Sequence, residues 1–503
     1  MSISPLLLSL KTNLGIALTS SFLRHPNRAI IVDDRRTYLG KEMLVGGMHI
    51  ADLIDNNSST QRVGLLIPTS GAMGIAVYGT WLAGRAAVPL NYLLDEPTLN
   101  YVVQDCGCDL IIASRQLVEH IGLVPRCKKI IYLEDLNFRK APSPRTPKAT
   151  SPSELAVVLY TSGTSGKPKG VMLSHRNLLS NATQMHEHIG VRKDDVFIGV
   201  LPQFHSFGLT GLTIVPMLFG CKTVYTARFV PKKLVELMRE HRPSIYVAIP
   251  TMYNALMTVK STTPADVASL RLAISGGEPL PADVRTRFRE KFDVPIVEGY
   301  GLTETAPVTH MLLPKEDREG TVGRPVPKLE QIIVDPATNR VLPPNTDGEL
   351  RMRGPNIMKG YLGLEEETAN AFDERGFFRT GDMAQIDEDG FLRITGRIKE
   401  MMIVGGENVF PREIEEVLNA HPSVFDSGVI GKYDPMRGEV PIGFVEAAED
   451  QKPDPEELVR WCRDNLPGYK VPRRIIVIES LPRNPTGKIM RRLLRPELEK
   501  LEA

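Results

Sequence analysis

The segment Tyr160 to Gly170, Tyr-Thr-Ser-Gly-Thr-Ser-Gly-Lys-Pro-Lys-Gly, packs three glycines, four side-chain hydroxyls after the tyrosine and two lysines into eleven positions. Glycine lets a backbone approach a polyphosphate closely and turn its N–H groups inward as an anion nest, and Gly163 and Gly166 suit that role. Thr161, Ser162, Thr164 and Ser165 add donors, while Lys167 and Lys169 supply the countercharge that an ATP β/γ tail requires. A solvated turn between a strand and a helix starting near Ser174 is the ordinary reading of such a stretch. The density of donors and the two lysines favour a phosphate site instead. The spacing is not that of a Walker A loop, which has four residues between its glycines and Ser or Thr after the lysine. Here two residues separate Gly163 from Gly166, and Pro168 follows Lys167. A kinase-like or GTPase-like loop is disfavoured.

Such a loop needs a rigid element before it, and the apolar run Leu155 to Tyr160 reads as a buried strand. Similar short runs, Ala29–Val32, Val63–Ile67, Ala86–Leu90 and Leu110–Ala113, alternate with helical patterns. That alternation predicts βαβ units around a mostly parallel sheet, and it recurs from Val196 to Val297. Ala141 to Pro152, rich in Pro, Ser and Thr, reads as a surface linker. Between Gly320 and Asp389, short apolar stretches bounded by Pro-Pro and Asp-Gly pairs predict hairpins. Beyond Gly396 a smaller α+β unit is expected, with helices over Pro411–Ala420 and Glu456–Asn465. The expected organisation is α/β: a large N-terminal domain, residues 1–396, of packed α/β subdomains with a small β-rich subdomain, and a hinged α+β domain, residues 397–503.

The composition limits the choices. The chain has 503 residues, 42% hydrophobic and 24% charged, with a net charge of +1. These values exclude wholesale disorder and give no electrostatic case for nucleic acid. Five thinly spread cysteines argue against a disulfide scaffold, and Cys106-Gly107-Cys108 is too close for a zinc knuckle. No apolar run is long enough to span a bilayer, and no basic residue precedes the short apolar stretch Pro5–Leu10, so a secretory signal is not expected. A cytoplasmic protein is expected; peripheral membrane contact is compatible with this reading.

Further motifs follow the loop in order: Gly276-Gly277-Glu278-Pro279-Leu280, Glu298-Gly-Tyr-Gly-Leu-Thr-Glu-Thr305, Phe378-Arg-Thr-Gly-Asp382, Gly390-Phe-Leu-Arg-Ile-Thr-Gly-Arg397 and Pro485-Thr-Gly-Lys488. With the loop they resemble the signatures of the adenylate-forming enzymes, which include acyl- and aryl-CoA synthetases, luciferases and peptide-synthetase adenylation domains. The similarity spans about residues 25–495 and is greatest to bacterial fatty-acyl-CoA synthetases. It implies a nucleotide site in which Gly276, Gly277 and Glu278 line the adenine, Tyr300 stacks on it beside Gly301, and Asp382 accepts both ribose hydroxyls. Ile394 and Arg397 complete the nucleotide contacts. Thr303 reaches the α-phosphate, Glu304 is the Mg²⁺ ligand, and Lys488 is the catalytic lysine bridging carboxylate and phosphate oxygens. Lys399 occupies the hinge position, and Gly405 and Gly406 face the thiol acceptor.

Pro202-Gln-Phe-His-Ser-Phe-Gly208 resembles the segment that borders the acyl pocket, with His205 near the carboxylate or gating the pocket; a satisfied structural histidine is the rival reading. Ser206 and Gly208 have nucleophile-elbow spacing, but Phe204 replaces the first glycine, so a hydrolase is not supported. The apolar residues Phe207, Leu209, Leu212, Ile214, Val215, Met217, Leu218 and Phe219 could line an acyl tunnel or form a core helix. The expected activity is ATP-dependent conversion of a medium- to long-chain fatty acid to acyl-AMP and then to a CoA thioester, with ATP, Mg²⁺ and CoA. Aryl acids and an acyl carrier protein as acceptor are the alternatives. An ADP-forming ATPase or phosphotransferase is the reading from a different class.

Overall fold

Strands that are apolar along most of their length can be buried only where helices cover both faces of their sheet. Arg62–Leu66, Ala86–Pro89 and Leu110–Ala113 obey this rule as parallel neighbours. They belong to a seven-stranded sheet in the order Gly360–Tyr361, Lys169–Ser174, Leu155–Thr161, Ala86–Pro89, Arg62–Leu66, Leu110–Ala113 and Lys129–Tyr132. A nine-stranded sheet uses Ala29–Val32, Lys222–Tyr225, Val196–Gly199, Ile245–Ala248, Leu272–Ser275 and Ile296–Gly301 in parallel, with antiparallel strands at its edges. The computed structural model describes residues 12–161, 167–316, 318–483 and 489–502.

The predicted α/β character therefore holds, with one correction at the phosphate loop. Leu155–Thr161 does not run through a turn into a helix. It pairs antiparallel with a second strand, Lys169–Ser174, and Thr161 stands opposite Lys169. The helix His175–Ile189 follows that second strand and is capped by Ser174, whose Oγ accepts from the Asn177 N–H at 3.2 Å. The two strands thus form an antiparallel pair. The linker around 141–150 has no regular structure but is pinned down: Arg145 pairs with Asp52 at 3.2 Å and Asp55 at 2.5 Å.

The hairpins expected after Gly320 form a four-stranded antiparallel sheet of Glu330–Val334, Gly348–Arg353, Phe378–Ile386 and Leu392–Arg397. Arg351, 1% exposed, is held there by Glu349 at 2.7 Å and Asp373 at 3.2 Å. A buried guanidinium needs such pairing to offset its desolvation. After Arg397, a short 3₁₀ turn, Ile398–Glu400, leads to a separate sheet of Glu407–Val409, Met402–Val404, Gly438–Ala447 and Val424–Asp434, joined by Arg474–Ile478. The helices Pro411–Asn419 and Pro455–Asn465 cover it, close to the predicted bounds. Among the described residues no helix is long and apolar enough to cross a membrane.

Candidate active site

On the outgoing side of the hairpin expected to hold phosphate, two lysines face aromatic rings. Lys167 places its ammonium 5.4 Å from the centre of the Tyr101 ring, and Lys169 places its own 5.3 Å from that of Tyr361. Both are cation–π distances. Tyr160, at the end of the incoming strand, donates its hydroxyl to Asp105 at 2.6 Å. Ser162, Gly163, Thr164, Ser165 and Gly166 lie outside the described residues.

Tyr361 also reaches the acidic motif, because Gly360–Tyr361 is added to the hairpin as an antiparallel edge strand with Tyr361 opposite Val171. Its hydroxyl donates to Glu304 Oε1 at 3.0 Å. The expected phosphate lysine and the expected metal ligand therefore meet across one tyrosine. Glu304 itself sits in the 3₁₀ turn Thr303–Thr305, directly after the strand Ile296–Gly301. That turn requires glycine at 301, where a Cβ would lie 1.9 Å from the Pro307 carbonyl oxygen. Burial raises the pKa of Glu304, while the nearby Arg397 charge opposes the shift. Thr303 Oγ1 lies 3.3 Å from Ser206 Oγ, which joins the motif to the His205 segment.

Asp382 is 2% exposed and forms the centre of a second cluster. It follows Gly381, whose φ of +69° is readily adopted by glycine. Its Oδ2 accepts from the Tyr300 hydroxyl at 2.5 Å, and its Oδ1 faces Arg397 Nε at 2.9 Å. The Asp382 charge raises the pKa of Arg397. Tyr300 thus points its hydroxyl at the candidate ribose acid, and its half-buried ring lies along the same site. Ile394, one strand away, accepts from Arg412 Nη1 at 2.9 Å through its carbonyl.

Gly276 is buried against the Phe207 ring: a Cβ there would stand 3.1 Å from Phe207 Cε1. Gly277 has a φ of +85° and leads into the half-buried Glu278. Glu298, expected only as the start of the acidic motif, is instead buried, accepts from the Leu280 N–H at 3.1 Å and pairs with Arg285. It anchors the Gly276–Leu280 loop to the neighbouring strand. His205 is exposed, and its Nδ1 accepts from the Phe207 N–H at 3.3 Å. Of the apolar residues proposed for an acyl tunnel, Leu209, Leu212, Ile214, Val215, Met217 and Leu218 all join the main core, which favours their packing role. Phe207 is half-buried and borders that core.

Lys399 lies exposed in the 3₁₀ turn Ile398–Glu400. Gly405 and Gly406, with φ of 62° and 92°, form the turn of a hairpin that leaves open space around them. Lys488 is outside the described residues. Three positions later, Arg491 pairs with Glu400 at 2.8 Å and Glu415 at 2.6 Å. Tyr361 was not singled out from sequence as a site residue, and no local signal marks it.

The donor set fits magnesium. Among the described residues no group of three or more His, Cys, Asp or Glu could hold a metal. A lone carboxylate is the protein share expected for Mg²⁺, which keeps waters and takes substrate phosphates. The raised pKa of Glu304 gives a pH test. Stability from the raised group is fully present below the ordinary Glu value of about 4.3 and is lost as pH rises through the folded value. Ligand-free Glu304→Gln is therefore expected to melt at or above the parent temperature at alkaline pH, with the difference shrinking towards acid. The extra stabilisation by Mg-ATP over ATP alone should vanish in the variant. Thermal melts across pH check both, and a retained magnesium increment would remove Glu304 from the metal site.

Known proteins resemble this chain along nearly its whole length. The family model for AMP-binding enzyme matches residues 20–362, and that for the AMP-binding enzyme C-terminal domain matches residues 413–488. A long-chain-fatty-acid–CoA ligase of Bacillus subtilis (strain 168) is 30% identical over 524 residues, covering 95% of this chain and 93% of its own. A feruloyl-CoA synthase of Amycolatopsis sp. is 32% identical over 433 residues, covering 86% of this chain and 87% of its own. Among solved structures, the o-succinylbenzoate coenzyme A synthetase of Bacillus subtilis in complex with ATP and magnesium ion aligns with a TM-score of 0.85 and 28% identity. That alignment covers 95% of this chain and 99% of that one. Two family matches in the expected order, and 30% identity along nearly the whole chain, show that it belongs to the AMP-binding enzyme family, as an acid–thiol ligase.

Proposed function

We propose that the protein activates a medium- to long-chain fatty acid as acyl-AMP, releasing pyrophosphate, and passes the acyl group to the thiol of CoA. The observation that carries this reading is the link from Lys169 through Tyr361 to Glu304, set beside the Tyr300–Asp382–Arg397 cluster. On this reading it would supply a phosphate cation, a hard anionic ligand and a ribose acceptor in one site. Similarity to the long-chain-fatty-acid–CoA ligase over 95% of the chain supports the acyl class.

In this mechanism Lys167 and Lys169 hold the polyphosphate, Asp382 binds the ribose hydroxyls, and Thr303 meets the α-phosphate. Bound Mg²⁺, held by Glu304, supplies Lewis-acid neutralisation of phosphate oxygens. His205 orients the carboxylate, and Lys488 balances the charge that grows as a carboxylate oxygen attacks the α-phosphorus. Lys399, just after the 396/397 domain boundary, lets the C-terminal domain swing so that Gly405 and Gly406 face CoA for the second step.

The test is product analysis with Mg-ATP, CoA and a panel from butyrate to stearate plus benzoate and cinnamate. AMP and pyrophosphate are expected, with the highest kcat/KM at octanoate or a longer chain. A preference for an aromatic acid would support the second reading, an aryl-CoA ligase, which the feruloyl-CoA synthase similarity and the Phe207–Gly276 contact favour. Formation of ADP and phosphate, or thioester on acyl carrier protein but not on CoA, would overturn the proposal.

A further inference from the structure

Three of the five cysteines gather on one side of the phosphate hairpin. Cys106 ends the helix Glu96–Cys106, Cys108 precedes the strand Leu110–Ala113, and Cys127 precedes Lys129–Tyr132. Those two strands are parallel neighbours with Leu110 opposite Lys129, and continuing the register sets Cys108 opposite Cys127. Parallel neighbours stand about 4.8 Å apart, inside the Cα separation that a disulfide spans. Cys127 Sγ lies 3.6 Å from the Cys108 carbonyl oxygen. Cys106 is fully buried and donates to its own helix at Val103 O, 3.3 Å away.

Access is unequal. Cys127 is half-buried and lines an open depression of about 830 Å³ together with Tyr101, Arg126 and Lys128, whereas Cys108 is 8% exposed at its floor. Contact with Cys108 and backbone N–H groups lowers the Cys127 pKa to about 6. An accessible cysteine beside a buried one is the arrangement of an attacking and a resolving cysteine.

The same helix touches the ATP site. Asp105, next to Cys106, accepts from Tyr160 at 2.6 Å and from Tyr101 at 3.5 Å, and the Tyr101 ring holds Lys167. We propose that Cys127 and Cys108 form a hydroperoxide-responsive disulfide site that weakens ATP binding through this helix. The Cys127 thiolate attacks the peroxide, giving Cys127 sulfenic acid and hydroxide or alkoxide, which takes a proton from water. The Cys108 thiol then displaces water from the sulfenic acid to form the S–S bond. Two electrons pass from the two sulfurs to the O–O bond, and a dithiol reverses the change.

The experiment treats the full chain with hydrogen peroxide, maps disulfides by mass spectrometry without reduction, and measures the ATP dissociation constant by calorimetry with no acid present. A Cys108–Cys127 bridge and at least a threefold weaker ATP affinity, restored by dithiothreitol, are expected. Cys127→Ser should bind ATP normally and resist peroxide; it tests the site if the buried Cys108→Ser fails to fold. A Cys106–Cys108 bridge, Cys127 found only as a sulfinic acid, or a correct bridge with unchanged ATP affinity would overturn the proposal. None of these readouts depends on which acid the enzyme uses.

Discussion

Lys488→Ala is expected to slow acyl-AMP formation by about two to three orders of magnitude, the scale of losing one preorganised group at a developing charge. Adenylation forces a carboxylate against a phosphate that already carries negative charge, so a cation at the reacting atoms stabilises the transition state more than the ground state. The second half-reaction breaks the acyl–AMP bond with a thiol and has no such anion–anion approach. The variant should therefore convert preformed acyl-AMP and CoA to thioester within a few-fold of the parent rate. Single-turnover assays of each step, started from acid plus ATP or from acyl-AMP, separate the two. Equal losses in both steps would mean that the tail containing Lys488 acts structurally. Arg491, tied to Glu400 and Glu415, is a control for that structural role, since its loss should affect both steps.

The parts of the site legible in the sequence are those built by local turns. Gly301 before Thr303–Thr305 and Gly381 before Asp382 fix their neighbours within a few residues, so the motifs that carry the family resemblance single out Tyr300, Glu304 and Asp382. Tyr361 shows the opposite case. Its contact with Glu304 depends on a two-residue strand joining a sheet edge at Val171, a pairing across nearly two hundred residues of chain that no local pattern encodes. The strand Lys169–Ser174 was also hidden, because its six residues follow a Gly/Pro/Lys turn and run directly into a helix cap. Glu298, which opens the acidic motif, serves as a buried anchor; its burial and its Arg285 partner are tertiary facts. The larger architecture was easier to read, since continuous apolar runs such as Ile245–Ala248 have few alternatives to a parallel strand covered on both faces. The apolar stretch Leu209–Leu218 could not be divided between tunnel and core by hydrophobicity alone, and packing gives it to the core.

Asp382→Ala is expected to raise the KM for ATP about 100-fold, equivalent to one or two charge-assisted hydrogen bonds of about 1.5–3 kcal/mol each. Ribose lies away from the bond that forms, so its contacts are shared by ground and transition states, and kcat should change far less than KM. The complication is that Asp382 is 2% exposed and already engaged by Tyr300 at 2.5 Å and Arg397 at 2.9 Å. Removing it leaves a hydroxyl and a guanidinium without their acceptor, and this could disturb the site without any ribose contact being lost. A cycle with the ligand resolves the ambiguity. In the parent, 2′,3′-dideoxy-ATP should show most of the KM penalty seen for ATP in the variant. In the Asp382→Ala protein, ATP and the dideoxy analogue should then bind almost alike, because the hydroxyls have no carboxylate to meet. Tyr300→Phe keeps the ring and the carboxylate but removes the hydroxyl that orients Oδ2, so it should cost only a few-fold in KM. If the analogue and the substitution add their penalties in full, Asp382 is not the ribose acceptor, and the cluster it forms with Arg397 holds the fold at the end of the last N-terminal strand instead.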